Sequence, residues 1–508
     1  MSTPFHRRDF LKLLTAAPWA LALPPSLQGF LTPGANPQNV LIVVFDAWSA
    51  RNVSLYGYGR QTTPNIDRLA QRAIVYRNHQ ASANFTTTGT ASLLTGAHGW
   101  THRALGPEAP TTAFFHRNNM FSLFAGYYRF AYTQNSWVQA LLTPMSRNLE
   151  LLPNVIDLYL QARPVERLFP NDSDTASVAA SRVANPKENY GYSLFRPMLL
   201  KAFPPPAAPQ GITELFPRGM PNRYDGVSAF TIETAMDWLV SEITKAPRPF
   251  LAYLHLLPPH APYCARVEFV DRFKGDGFVP VAKPIDSLSL PSRYKNVEWQ
   301  QGLQRRLYDE YIMYADAEFG RLFGILEATG MLDSTWLVLT SDHGETFERG
   351  FIGHRTKTLF QPEIQVPLLI FEPGRTNAVV VNEATSAVDL LPTLAHVTGN
   401  TMPAWTDGTI MPPFSGRGAA NEHAVYSIQA QDTRTGGPIT RATVASVRWP
   451  HKLQYYSGYE QIQGKLIKLF DLARDPEELH DLANEMPDVA SDLLRDLEHR
   501  MALADQQY

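Results

Sequence analysis

Hydroxyl groups crowd one short stretch of the chain, Asn84-Phe85-Thr86-Thr87-Thr88-Gly89-Thr90-Ala91-Ser92-Leu93-Leu94-Thr95-Gly96. Its pattern predicts a helix beginning near Gly89. A threonine there can act as a helix N-cap. It can equally meet an anion, because a helix N-terminus presents unpaired N–H groups and the positive end of the dipole. A threonine hydroxyl becomes a useful nucleophile only when a base or a metal lowers its pKa. Asp46, Asp342 and His343 are the residue types that would hold such a metal. Asp46 closes VVFD and Asp342 closes LVLTSD, so each carboxylate follows an apolar run. From there it can face a cleft or cap a helix. Asp342 and His343 are adjacent in a loop, so both can reach one ion. Carboxylate plus imidazole favours zinc or manganese, with calcium as the remaining option. Two more histidines sit in promising loops. His260 lies in PHAPY, stiffened by Pro259 and Pro262, and rigid loops position catalytic groups. His354 follows Gly353 and precedes Lys357. A lone histidine is often merely structural, so both readings stand.

These residues need a scaffold. Val40-Leu41-Ile42-Val43-Val44-Phe45 is an unbroken apolar run of the kind that forms a strand buried on both faces. Phe250–Leu256, Trp336–Leu339 and Val366–Phe371 look similar. Helical patterns lie between them, at Thr231–Thr244 and Leu307–Thr329. Buried strands alternating with amphipathic helices predict an α/β fold with a large, mostly parallel sheet between helices. Such sheets carry their chemistry at the C-terminal ends of the strands, where Asp46 and Asp342 fall. Residues 146–228 are proline-rich with little periodicity and read as insertions over one rim. Short β-like stretches at Ala424–Gln429, Thr440–Arg448 and Lys452–Tyr456, and a charged helix from Pro487 to Leu503, predict a small C-terminal α+β subdomain. The expected division is 1–22 leader, 23–38 linker, 39–400 catalytic domain and 401–508 C-terminal subdomain.

Composition narrows the classes further. The 508 residues are 44% hydrophobic and 18% charged, which is ordinary for a globular protein. Lys and Arg number 45 against 48 Asp and Glu, so no basic excess points to nucleic acid. The single cysteine, Cys264, allows no internal disulfide and no cysteine-based zinc cluster. At the N-terminus, His6-Arg7-Arg8-Asp9-Phe10-Leu11-Lys12 leads into a short apolar run to Leu23. Paired arginines before Phe-Leu-Lys read as a twin-arginine export signal, with Ala20-Leu21-Ala22 as a cleavage site. Lys12 and Pro18 interrupt the run, which falls short of the ~20 apolar residues of a spanning helix. The expectation is a periplasmic or secreted bacterial protein with no membrane span in its mature form, exported by the twin-arginine machinery.

In chain order, NVLIVVFDAW, TTPNIDRLAQRAIVYRNHQA, TASLLTG, PHAPY, YADAEFGRL leading to TSDHGE, VPLLIFEPG, DLLPTLAHVTG and LFDLARDPEELHDLA resemble the sulfatase branch of the alkaline phosphatase superfamily. The resemblance covers roughly 38–500 and is poor over 135–225. It implies an alkaline-phosphatase-like sandwich fold and a hydrolase of phosphoric or sulfuric esters. Counted back from Gly96, the family's nucleophile position falls on Thr86. Sulfatases carry Cys or Ser there, oxidised to formylglycine, within C/S-x-P-S-R. Here the stretch reads Thr86-Thr87-Thr88-Gly89-Thr90, so the nucleophile, the proline and the arginine are all replaced. The family's acidic pair after the first strand is Asp46 followed by Ala47. Its Lys-x-His falls on Asn135 and Trp137.

A threonine nucleophile instead resembles nucleotide pyrophosphatases, phosphoethanolamine transferases and lipoteichoic acid synthases. The resemblance implies a metal set of Asp46, Thr86, Asp342 and His343. His260, His354 and Lys357 would face the transferred group, although the family's lysine aligns on Thr356. His102 matches a family spacing, as a supporting position beside the ligands or as a structural histidine. His354 is expected to be the acid for the leaving group, with a pKa suited to neutral pH. The favoured reading is a metal-dependent phosphodiester or phosphonate ester hydrolase acting on a small-molecule or envelope ester through covalent Thr86. Its alternatives are a sulfuric ester hydrolase, a phosphoethanolamine- or phosphoglycerol-type transferase, and a non-catalytic binding protein.

Overall fold

The computed structural model describes residues 38–106, 109–160, 211–221, 229–286, 288, 297–416, 424–431, 437–462 and 464–505. The expected leader, nearly all of the linker, and residues 161–210 and 222–228 of the proline-rich stretch lie outside them.

Seven strands build the main sheet: β1 (Asn39–Asp46), β2 (Ile74–Gln80), β3 (Tyr128–Thr133), β4 (Phe250–Pro259), β5 (Thr335–Ser341), β6 (Leu368–Phe371) and β7 (Val379–Ser386). Their spatial order is β3-β4-β1-β5-β6-β2-β7. β6 runs against both of its neighbours, and the other pairs are parallel. β1 sits between β4 and β5, and its pleat feeds two cores. Leu41, Val43 and Phe45 pack on one face with Leu254, Leu339, Tyr308 and Phe319. Val40, Ile42 and Val44 pack on the other with Leu93, Leu251, Val338 and Leu394. Burial on both faces explains the unbroken apolar run in the sequence.

Among the described residues, the helices of six or more residues are α1 (Pro64–Leu69), α2 (Thr86–Thr95), α3 (Ser136–Met145), α4 (Ile232–Lys245), α5 (Val297–Ala328), α6 (Leu390–Val397) and α7 (Pro487–Asp505). α2 begins at Thr86, three residues before the expected start near Gly89. The opening run Thr86-Thr87-Thr88 offers no apolar stripe, yet every residue of α2 is buried. Tertiary packing therefore sets the boundary that local pattern could not. α5 likewise begins ten residues before the expected Leu307. Its buried residues Tyr308, Tyr311, Ile312, Ala315, Phe319, Leu322, Phe323 and Leu326 follow helical spacing. The earlier turns, VEWQQGLQRR, are polar helix formers without such a stripe.

The C-terminal layer is an antiparallel sheet in the order β11-β10-β9-β8, formed by β8 (Val425–Ala430), β9 (Ala442–Arg448), β10 (His451–Ser457) and β11 (Leu466–Asp471). Ala490, Leu493 and Leu497 of α7 close its core. It joins the main sheet side through Ile428 N–H to Ser82 O at 2.8 Å and Ser427 Oγ to Ala81 O at 2.6 Å. Among the described residues no helix is long and apolar enough to cross a membrane.

Candidate metal centre and active site

The ends of β1, β4 and β5 lie side by side, and the N-terminus of α2 meets them. Each strand contributes a side chain or a loop to one buried cluster. At the end of β1 the register against β4 slips after Phe45, which frees Asp46 from the ladder. Ala47 then adopts a left-handed φ of 59°. Two bonds hold it there. Its N–H donates to Asp342 Oδ1 at 3.2 Å, and its carbonyl accepts from the Tyr308 hydroxyl of α5 at 2.5 Å. Beyond β5, Trp48 N–H donates to Ser341 Oγ at 2.8 Å, and that hydroxyl donates to His343 O at 2.7 Å. The two loops thus fix each other.

Asp46, Thr86, Asp342 and His343 converge. His343 Nε2 lies 3.2 Å from Thr86 Oγ1, 3.3 Å from Asp46 Oδ1 and 3.7 Å from Asp342 Oδ2. Its Nδ1 donates to Gly344 O at 2.8 Å, which sets the tautomer and turns Nε2 toward the carboxylates. Gly89 lets α2 come this close. A Cβ on it would stand 2.2 Å from Asp342 O. Thr90 adds a long contact of 3.5 Å from its hydroxyl to Asp342 Oδ2.

The charges are strongly coupled. Burial opposes ionisation of Asp46, but the imidazoles of His255 and His343 hold its carboxyl well below the usual range. Burial and then the charge of Asp46 raise Asp342. Burial disfavours the His343 cation, yet Asp342 and Asp46 together push its pKa up to about 10. Two carboxylates and two imidazoles, all fully buried, call for a shared positive charge. Asp46 Oδ1 and His255 Nε2 are buried without a hydrogen-bond partner. Asp46, His255 and Asp342 also offer ligand atoms within 4.8 Å of one another. Orphaned donor atoms of these types fit a divalent ion.

His260 and His354 stand beside this cluster. The His354 ring is 4.4 Å from that of His343 and 4.9 Å from that of His260. A β-bridge between Thr346 and Gly353 folds the loop back on itself and returns His354 to the strand end. There His354 Nδ1 lies 3.0 Å from Glu345 Oε1. Burial raises Glu345 to about 7. The expected near-neutral pKa for His354 does not hold: burial, then the neighbouring His343, keep it well below the ordinary value. His260 is lowered too, chiefly by burial.

Two expected site residues make their described contacts elsewhere. His102 Nε2 is 3.0 Å from Ser92 Oγ, and its Nδ1 accepts from Ala104 N–H at 3.0 Å. Both ring nitrogens are thus engaged within the α2 region. Lys357 Nζ lies 5.7 Å from the Tyr459 ring, next to the C-terminal sheet. At the neighbouring Thr356, the amide donates to Glu363 Oε1 at 3.0 Å. Glu363 is a buried carboxyl also bound by Asn84 Nδ2 at 3.0 Å, and burial raises it to about 8.

Four groups escaped the sequence reading. His255 lies inside an apolar strand, and the spacing to His260 alone gave it no role. Asn135 follows YRFAYT, where the resemblance marked only a replaced lysine. Its Nδ2 donates to Asp46 Oδ2 at 2.5 Å, and its Oδ1 caps α3. Glu345 stands in SDHGE, but its pairing with His354 depends on the loop. Arg355 is an exposed cation 4.9 Å from the Phe85 ring. Phe85 in turn meets Trp137 at 6.1 Å and His354 at 6.3 Å. These side chains form a half-open aromatic and cationic rim beside Thr86.

A mostly parallel sheet carrying a carboxylate–imidazole cluster at its strand ends, with a hydroxyl on a helix N-terminus, defines an α/β ester hydrolase. Residues 38–400 match the Sulfatase family model, and the chain belongs to that family. It is thus a hydrolase of the alkaline phosphatase superfamily. It is 25% identical over 491 residues to the multifunctional alkaline phosphatase superfamily protein PehA of Trinickia caryophylli, covering 88% of this chain and 91% of that one. It is 29% identical over 278 residues to the choline-sulfatase of Rhizobium meliloti (strain 1021), a match spanning 51% of each chain. The fold is shared with the phosphonate monoester hydrolase of Agrobacterium radiobacter, with a TM-score of 0.63 and 19% identity over 92% of this chain and 96% of that one.

Proposed function

We propose that the chain hydrolyses phosphodiester or phosphonate ester bonds through a covalent intermediate on Thr86. Asp46, Asp342, His343 and Thr86 would hold a divalent ion, zinc or manganese by the character of the donors. The observation that carries this reading is the buried Thr86 hydroxyl, on the first turn of α2 and 3.2 Å from His343 Nε2. A threonine cannot become formylglycine. The one cysteine, Cys264, lies after the PHAPY loop with its thiol raised to about 11 by burial. A hydroxyl attacking directly is the chemistry that remains.

A bound ion would supply the positive charge that favours loss of the Thr86 proton and offsets charge on the transferred group. Thr86 Oγ1 releases its proton to solvent and bonds to phosphorus, while the bond to the leaving oxygen breaks on the far side. N–H groups of the first turn of α2 stabilise the equatorial oxygens. His354 rests neutral and shares a proton with Glu345 through Nδ1. Its Nε2 delivers a proton to the leaving oxygen as Nδ1 takes one from Glu345. In the second half, Nε2 removes a proton from the water that attacks phosphorus and frees Thr86. Arg355 and the aromatic rim receive an anionic ester.

The test is a substrate panel of aryl phosphodiesters, phosphonate monoesters, phosphate monoesters and sulfates, with mass spectrometry of quenched enzyme. We expect phosphodiesters or phosphonates to exceed sulfates, the phosphoryl ester or phosphonyl group left after loss of the alcohol to be trapped on Thr86, and Thr86→Ala to lose at least about a thousandfold in kcat. Dominant sulfate turnover, or full activity in Thr86→Ala, would overturn the reading. We also infer twin-arginine export of the folded, metal-loaded enzyme to a periplasmic or secreted location. Arg7→Lys with Arg8→Lys should strand it in the cytoplasm on cell fractionation, and unchanged export would disprove the route.

A further inference from the structure

His255 lies on β4, five residues before His260, in register with Val44 of β1 and Thr133 of β3. It is wholly buried. Its Nε2 points between the carboxylates, 3.4 Å from Asp46 Oδ2 and 3.7 Å from Asp342 Oδ2. These separations exceed the ~2.7–3.2 Å of an N–H···O hydrogen bond. Among the described residues this nitrogen has no hydrogen-bond partner. His343 Nε2 stands in a matching position, 3.3 Å from Asp46 Oδ1 and 3.7 Å from Asp342 Oδ2. Ligands on a tetrahedral ion with bonds of ~2.1 Å are separated by ~3.4 Å. Asp46, His255 and Asp342 offer ligand atoms within 4.8 Å of one another, and His343 reaches the same two carboxylates.

The far side of the ring is anchored as well. His255 Nδ1 is 3.1 Å from the hydroxyl of Tyr253, which shares its face of the strand two residues earlier. With Nδ1–H donated to that hydroxyl, Nε2 carries a free lone pair. Metal-binding histidines are commonly oriented in this way through the second nitrogen. Asp46 Oδ2 is fixed in turn by the Asn135 amide.

We propose that His255 is a metal ligand, so that two carboxylates and two imidazoles, from β1, β4 and the loop after β5, join Thr86 around the ion. This rests on the metal-dependent reading above and narrows it. A pair of imidazoles selects a zinc-type ion over calcium. His255 then belongs to the ion, whereas His260 and His354 belong to the ester.

Zinc K-edge X-ray absorption on the zinc-loaded full chain tests this without a substrate. We expect scattering from two imidazoles in the wild type and from one in His255→Gln, and a zinc Kd, measured by chelator competition, at least about tenfold weaker in the variant. A single imidazole in wild type with stoichiometric zinc would overturn the role of His255 and leave the metal-dependent reading intact. Wild type that binds no zinc or manganese would overturn both. The wild-type imidazole count decides the matter even if the variant fails to fold.

Discussion

The histidines of this chain show how one residue type is sorted by its surroundings. His343 keeps a raised pKa because two carboxylates face it. His102 is equally buried, but no carboxylate among the described residues offsets that burial, which drives its pKa down to about 3. That difference has a measurable consequence. In the unfolded chain His102 takes up a proton near its ordinary value, and in the folded chain only near 3. The unfolded state therefore binds more protons between these values, so stability present above the unfolded pKa is lost as pH falls toward 3. From pH ~6.5 to pH ~5 the loss is about 2 kcal/mol for this group. Urea unfolding of wild type and His102→Gln across that range checks it: the variant should show a shallower fall. Equal slopes would mean that the ring is more accessible than its contacts imply. The residue types at Asp46, Thr86, Asp342 and His343 could be read as chemistry from the sequence. His354 could be read as a site residue but not as one that rests neutral, because its pKa depends on burial and on a neighbour eleven positions away.

At the level of elements, α2 is the piece on which the site turns. Its threonines carry weak helix propensity, and it is fixed instead by contact with the end of β5. Gly89 marks the contact. In an exposed helix, Gly→Ala stabilises by about 1 kcal/mol. Here the added Cβ would strike the backbone oxygen of Asp342 at 2.2 Å, and backbone cannot swing aside. We expect Gly89→Ala to reverse the usual sign, costing about 2 kcal/mol or more, and to lower kcat by moving Thr86 from His343. Thermal melts and steady-state kinetics on the one variant test both parts, and a stabilised, fully active protein would refute the close approach. The strands buried on both faces were legible because their apolar runs are continuous. β2, β3 and β7 were not assigned as strands, since their runs mix polar residues near sheet edges.

For the whole molecule, a buried ion pair within the C-terminal layer ties that layer to the catalytic unit through hydrogen bonds to the 359–361 segment. Lys452 Nζ on β10 is 2.7 Å from Glu478 Oε1, and both side chains are almost fully buried. Glu478 Oε2 also accepts from Gln361 N–H at 2.7 Å, while Lys452 donates to Leu359 O at 2.5 Å. The segment receiving these bonds leads back to Glu363 and Thr356 beside the site. Removing one partner of such a pair strands a buried charge, at a cost of about 3–5 kcal/mol. Lys452→Met should therefore unfold at clearly lower urea, with hydrogen exchange accelerated in β10 and at 359–363. A change below ~1 kcal/mol would show that the pair contributes little to joining the layers. The sequence reading separated the C-terminal layer by its proline- and glycine-rich border, but it gave no sign of this clamp.

The sequence alone determined the alternating strand and helix plan, the threonine where sulfatases need cysteine or serine, and the Asp and Asp-His pair at strand ends. These follow from local pattern and residue chemistry, which survive without coordinates. Only the tertiary structure decided that His255 faces the same space as His343, that Asn135 steadies Asp46, and that Glu345 bonds to His354. The reason is physical: parallel strands far apart in the chain end at one edge of the sheet. Which side chains meet there is set by register and loop path, and neither is written in any single segment.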